Sequence, residues 1–319
     1  MFGRGSVAWV CLALLTVSPL SGVRADAGGA CSAVSQAAFC EPKDKAKAKA
    51  KQKAKAKEQV KQREPAGAQR ALLKAAVGRL TPQRKGTTDL YTIGVAGWAD
   101  QDVFVKELDG TLASLTKVLP VDGRVLRLVN GPDTAKGTPL ATRENIAAAA
   151  RAVADVMDKN DDILFLFMTS HGTRTGFGLQ LPRRPLVEFA PAELAKILDG
   201  AGIRNRVVIV SACYSGTFVP PLANDNTVVI TAADARNPSF GCAPGREWTF
   251  FGDAFFNRNL RPGVDLRSAF NGARLTISEW ELAEALPPSN PQAHVGPTLV
   301  EKLAPLFAAK NAAKSSAAR

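Results

Sequence analysis

Two residues in this chain stand where reactive side chains can do work, each directly past a short apolar run. His171 follows "DILFLFM" (Asp162–Met168) within "MTSHGTRTG", and Cys213 follows "RVVIVS" (Arg206–Ser211) within "SACYSG". A thiolate is a strong nucleophile, and its pKa falls beside a cation or a helix N-terminus. An imidazole can stabilise that thiolate and later protonate a leaving amine. Gly172 leaves room for a carbonyl oxygen, and its N–H with that of Cys213 would form an oxyanion hole. The turn after Cys213 adds the positive end of its dipole. The chemistry that fits is acyl transfer. Taken singly, a cysteine ending a strand is more often a small buried hydrophobe, and a single histidine is often structural. The pair, each ending its own strand before small residues, outweighs that reading. Ser211 and Ser215 are the rival nucleophiles, but neither lies in a G-x-S-x-G elbow. His294, in "SNPQAHVGP", sits in a loop-like context and is given no catalytic role.

The elements that must position the pair are legible around them. "LYTIGVAG" (Leu90–Gly97) reads as a strand and "DVFVKELDGTLASLTKVL" as the helix after it. "RVLRLV" is a second strand, and "TRENIAAAARAVADVMD" a second helix with Thr142 as its N-cap. "APAELAKILDGAG" is a helix closed by glycine, and "NTVVITAA" a further buried strand. Continuous apolar runs of this length are strands buried on both faces. Strands alternating with helices imply right-handed crossovers and a mostly parallel sheet, here one three-layer α/β domain over residues 88–308. Ligands bind beyond the carboxyl ends of such strands. If the strands before His171 and Cys213 are neighbours, at about 4.8 Å spacing, the two side chains share one cleft.

Ahead of the domain the texture is different. Arg4, the apolar run Val7–Leu15 and the small residues up to Ala25 form an export signal over residues 1–25, which predicts a secreted or periplasmic protein. Residues 26–87 form a basic arm, solvated and helical at most in part. Within it, residues 41–64 hold ten Lys/Arg against four Asp/Glu, with lysine at every second position and no apolar stripe to dock. That segment is either a soluble spacer or a weak contact for anionic polymer; with no interleaved aromatics it predicts no specific nucleic-acid partner. Cys31 and Cys40 can close a small disulfide loop or stay as two thiols in the arm, and Cys242 reads as a packed core thiol. Two histidines and no C-x-x-C give no sign of a Cys/His zinc site, and no metal is expected. Residues 309–319 read as a disordered tail, and no segment after the signal is long enough to span a membrane.

The two blocks also carry a resemblance. "SHG" and "SACYSG" are similar, in order and spacing, to the catalytic blocks of the legumain family of cysteine peptidases, in the clan that also holds caspases. "VVITAADARNPSFGC" and "WTFFGDAFF" resemble that family's next strand and helix, while "AGWADQDVFVKEL", "PLATRENI" and "PSNPQ" resemble its secreted bacterial branch. The resemblance implies a caspase-like three-layer sandwich, a Cys213–His171 dyad acting on a polypeptide substrate, Gly172 in the oxyanion hole, and no cofactor. It also implies a pocket for the side chain before the cut bond, with Asp253 and Ser239 lining it and Ser211 and Tyr214 flanking the cysteine. Ser170, Ser211 and Tyr214 stand where legumain has acidic residues, and its pocket arginine has no counterpart near Ala99. The expected preference is therefore for a polar or charged residue before the cut bond. Two alternatives stay open: a transamidase resolving the same thioester with an amine, and a catalytically silent binding protein held at envelope polymer by its lysine arm.

Overall fold

Residues 66–131, 137–182 and 184–317 are described by the structure, a computed structural model. The expected export signal, the lysine-rich segment 41–64, Cys31 and Cys40 lie outside them. From Arg70 onward the chain is one compact unit, while Ala66–Gln69 fall in a second that lies otherwise outside the described residues.

Six strands form the central sheet: β1 (Leu90–Ala96), β2 (Val125–Val129), β3 (Ile163–Thr169), β6 (Arg206–Ser211), β7 (Thr227–Thr231) and β8 (Gln292–Val295). Their order is β2-β1-β3-β6-β7-β8, parallel except for the antiparallel β7–β8 pair. A two-stranded antiparallel hairpin, β4 (Phe177–Leu179) with β5 (Val187–Phe189), lies apart from it.

The apolar runs are continuous because both faces of the sheet are covered, and the period of two sorts them into two cores. In β3, Ile163, Phe165 and Phe167 belong to one core while Leu164, Leu166 and Met168 belong to the other. In β6, Val207 and Ile209 join the first and Val208 and Val210 the second. The first core is closed by α2 (Val103–Val118), α7 (Leu266–Ala283) and α8 (Pro297–Ala317), the short α5 (Val219–Leu222) and α6 (Phe250–Gly252) preceding α7 in the chain. The second is closed by α1 (Ala66–Val77), α3 (Arg143–Val156) and α4 (Pro191–Gly200). This is the three-layer α/β arrangement expected from the alternation of runs, and Thr142 caps α3 by accepting the Asn145 N–H at 3.2 Å.

Three expectations are corrected. The packed structure begins before residue 88, since Leu73, Ala76 and Leu80 are buried in the second core; the run of lysines upstream masks this apolar spacing. At the other end, α8 continues to Ala317, and Leu303, Leu306 and Phe307 bury its inner face. His294 lies not in a loop but on β8, an edge strand of four residues between Pro291 and Gly296, too short for alternation to reveal. Among the described residues no helix is long and apolar enough to cross a membrane.

Candidate active site

The parity that sorts the core residues carries on past the strand ends. Thr169 and Ser211 are register partners in the β3–β6 pair and follow the residues facing the first core. Both hydroxyls meet one side chain on that face, Glu107 of α2: Thr169 donates to Oε2, and Ser211 donates to Oε1 at 3.0 Å. Two residues further, His171 and Cys213 leave their strands at the same level. Between them the chains touch: a β-carbon at Gly172 would lie 2.1 Å from the Cys213 carbonyl oxygen, so only glycine permits this approach.

His171 is held from α2 and the turn before it. Its ring packs edge-on against Trp98 and Phe104, with centroids 4.6 Å and 5.1 Å away. Its Nε2 meets Oε1 of Gln101. The Gln101 amide nitrogen donates to the Cys242 carbonyl at 3.1 Å, which fixes the orientation of the amide. The oxygen therefore faces the ring, Nε2 carries the proton, and Nδ1 holds the free lone pair. Burial pushes the His171 pKa down to about 4, so the ring is neutral above that pH. Gln101 was missed in the sequence because nothing local marks it: it sits in the turn before α2, 70 residues from the histidine it meets.

Cys213 is buried, and its sulfur is held by Ser239. The Ser239 N–H donates to Sγ at 3.3 Å, its hydroxyl lies at 3.8 Å, and the thiol donates to its carbonyl at 3.5 Å. Burial, opposed by these hydrogen bonds, raises the Cys213 pKa, so thiol and imidazole are both neutral at rest. They are not hydrogen-bonded to each other. Cys213 is also the free cysteine among the described residues, whereas Cys242 is disulfide-bonded rather than the packed thiol expected. A lone cysteine in a sequence carries no mark of its pairing, which is set by tertiary proximity.

The remaining expected residues distribute unevenly. Ser211 is 2% exposed and beneath the cleft, bonded to Glu107 and at 3.2 Å from the Thr249 hydroxyl, so it is no pocket wall. Ser215, the other rival nucleophile, is buried and accepts the Ala233 N–H at 3.1 Å. Tyr214 is half-buried at the rim with a left-handed backbone (φ 57°). Asp253 opens a π-helical turn, Asp253–Asn259, and accepts from Asn257 at 2.7 Å and Arg258 at 3.2 Å, both on its own turn. Ser170 is buried and donates to the Gly178 carbonyl at 2.7 Å, tying the His171 loop to β4.

Behind the site lies a carboxylate the sequence reading overlooked. Glu107 occupies the buried stripe of α2 with Phe104, Leu108 and Thr111, and is wholly buried. It accepts from Thr169, Ser211, the Thr249 hydroxyl at 2.7 Å and the Gly252 backbone. Desolvation outweighs these bonds and pushes its pKa up to about 7. An acidic residue in an apolar helical stripe was the available signal. Among the described residues no cluster of His, Cys, Asp and Glu could hold a metal ion.

The arrangement sets a buried thiol, a neutral imidazole and the close Gly172–Cys213 backbone at the ends of two neighbouring strands. Comparison with known proteins bears on what such a site belongs to. Among solved structures, a caspase-1 from Spodoptera frugiperda aligns at 12% identity with a TM-score of 0.45, covering 68% of this chain and 93% of that one. No curated protein matches. The family model described as the Peptidase C13 family matches residues 120–299, more than half of the chain and a span that includes both His171 and Cys213. The chain belongs to the Peptidase C13 family, the legumain family, and is a cysteine-type peptidase.

Proposed function

We propose that Cys213 is the nucleophile and His171 the acid–base of this peptidase, with Gln101 orienting the imidazole. The observation that carries this reading is the shared level of the two strand ends: Thr169 and Ser211 are register partners on one carboxylate, and Gly172 abuts the Cys213 carbonyl. Substrate enters by displacing the Ser239 contacts from Sγ. The thiol proton passes to Nδ1 as sulfur bonds to the carbonyl carbon. Charge on the former carbonyl oxygen is met by the N–H groups of Gly172 and Cys213. The C–N bond then breaks, Nδ1 gives its proton to the departing amine, and a thioester remains. Water, deprotonated by Nδ1, adds to that thioester, releasing the acid and restoring the thiol.

The residue before the cut bond is polar or charged in this reading, with Ser239 and Asp253 at its pocket. A fluorogenic peptide library varied at that position, run on the wild type, Cys213→Ala and His171→Ala, tests it. Cleavage by the wild type alone is expected; equal turnover by Cys213→Ala would sink the assignment.

A further inference from the structure

The loop that begins at His171 carries a charge the dyad does not use. It is closed by the Thr173 N–H donating to the Gly176 carbonyl at 2.8 Å and by a bridge between Gly172 and Phe177. Thr173 and Thr175 each donate to one oxygen of Glu188, both at 2.6 Å, which ties the loop to β5. Arg174 is left exposed at its tip, with its guanidinium carbon 4.9 Å from the centre of the Tyr214 ring. Tyr214 directly follows Cys213 and is itself fixed, donating its N–H to the Asn237 carbonyl at 3.0 Å. Stacking on that ring ties the exposed side chain to the residue that follows the nucleophile.

No described carboxylate is paired with it. Arg174 makes no ion pair with a described residue, nor does Arg236, the exposed arginine next to Asn237. Glu188 has both oxygens on threonines, and Asp234 accepts from the Arg236 backbone, Asn237 and Asn290.

We propose that Arg174 selects an acidic side chain directly after the cut bond, so that the substrates are polypeptides with Asp or Glu at that position. This rests on the Cys213–His171 reading above. The departing amine must pass His171 to receive its proton, so the residue it carries lies over the loop that His171 opens, and Arg174 is three residues further along that loop. A guanidinium stacked on a ring keeps its N–H edge free for a carboxylate. Because the group is exposed, the selectivity is modest, about fivefold, and weakened by salt.

Internally quenched peptides identical except for Asp, Asn or Lys after the cut bond test this on the full chain. Asp is expected to exceed Asn about fivefold in kcat/KM at low salt, with the gap shrinking in concentrated salt. Arg174→Gln should flatten the ranking and Arg174→Glu should favour Lys. If all three peptides are cut with equal kcat/KM by the wild type, or the ranking survives Arg174→Glu, the proposal is overturned while the cysteine chemistry stands. If the wild type cuts none of them, or no faster than Cys213→Ala, the dyad reading fails and this one with it.

Discussion

The side-chain oxygen of Gln101 meets Nε2 of His171, while the other end of the same amide donates to the Cys242 carbonyl at 3.1 Å. One short side chain thereby decides which ring nitrogen is left as the base. Replacing Gln101 by Leu should lower kcat about tenfold or more with KM little changed, because a misoriented tautomer loses general-base catalysis. Steady-state kinetics check this, and an unaltered kcat would refute the orienting role.

Gln101→Glu tests the same contact by charge. A carboxylate beside the ring favours imidazolium and raises the His171 pKa from about 4. The acid limb of the kcat/KM profile should accordingly sit near pH 4 in the wild type and move upward in the variant. A pH–rate series on one fluorogenic peptide gives both limbs.

Glu107 makes stability fall as pH rises. Its folded pKa is about 7 against an ordinary 4.5, so the folded state keeps a proton that the unfolded chain releases. The contribution is whole below pH 4.5 and is lost progressively up to about pH 7, a difference on the order of 3 kcal/mol. Glu107→Gln keeps the shape and removes the titration. Denaturant melts at pH 5 and pH 7 should show a smaller pH dependence in the variant than in the wild type.

Gly172→Ala places a β-carbon 2.1 Å from the Cys213 carbonyl oxygen, a backbone atom that cannot swing aside. The His171 loop and the Cys213 turn must part, at about 1–3 kcal/mol in stability. Activity should drop about a hundredfold because an oxyanion donor moves. Thermal melts and peptide turnover on the same preparation separate the two effects.

The buried, protonated Cys213 should react slowly with iodoacetamide at neutral pH and faster as pH rises. A peptidyl chloromethyl ketone, which occupies the cleft, should label it quickly and depend on His171. Intact-mass analysis of wild type and His171→Ala reads this. Equal labelling of both proteins by the peptidyl reagent would remove the histidine from the chemistry.

The sequence by itself determined the alternation of strands and helices, the parallel sheet, the Thr142 cap, and the placement of His171 and Cys213 past two strands. Those features follow from local periodicity and short-range chemistry, which a linear string contains. Tertiary structure alone decided that β3 and β6 are neighbours in a register pairing Thr169 with Ser211, and that Gln101 reaches His171 from another element. The same holds for Ser239 on the sulfur and for the disulfide state of Cys242. Glu107 falls between the two cases: the helical stripe put its position on the buried face, but its four donors come from segments far apart in the chain. Side-chain partners across such distances are set when the layers close on the sheet, and no local pattern encodes them.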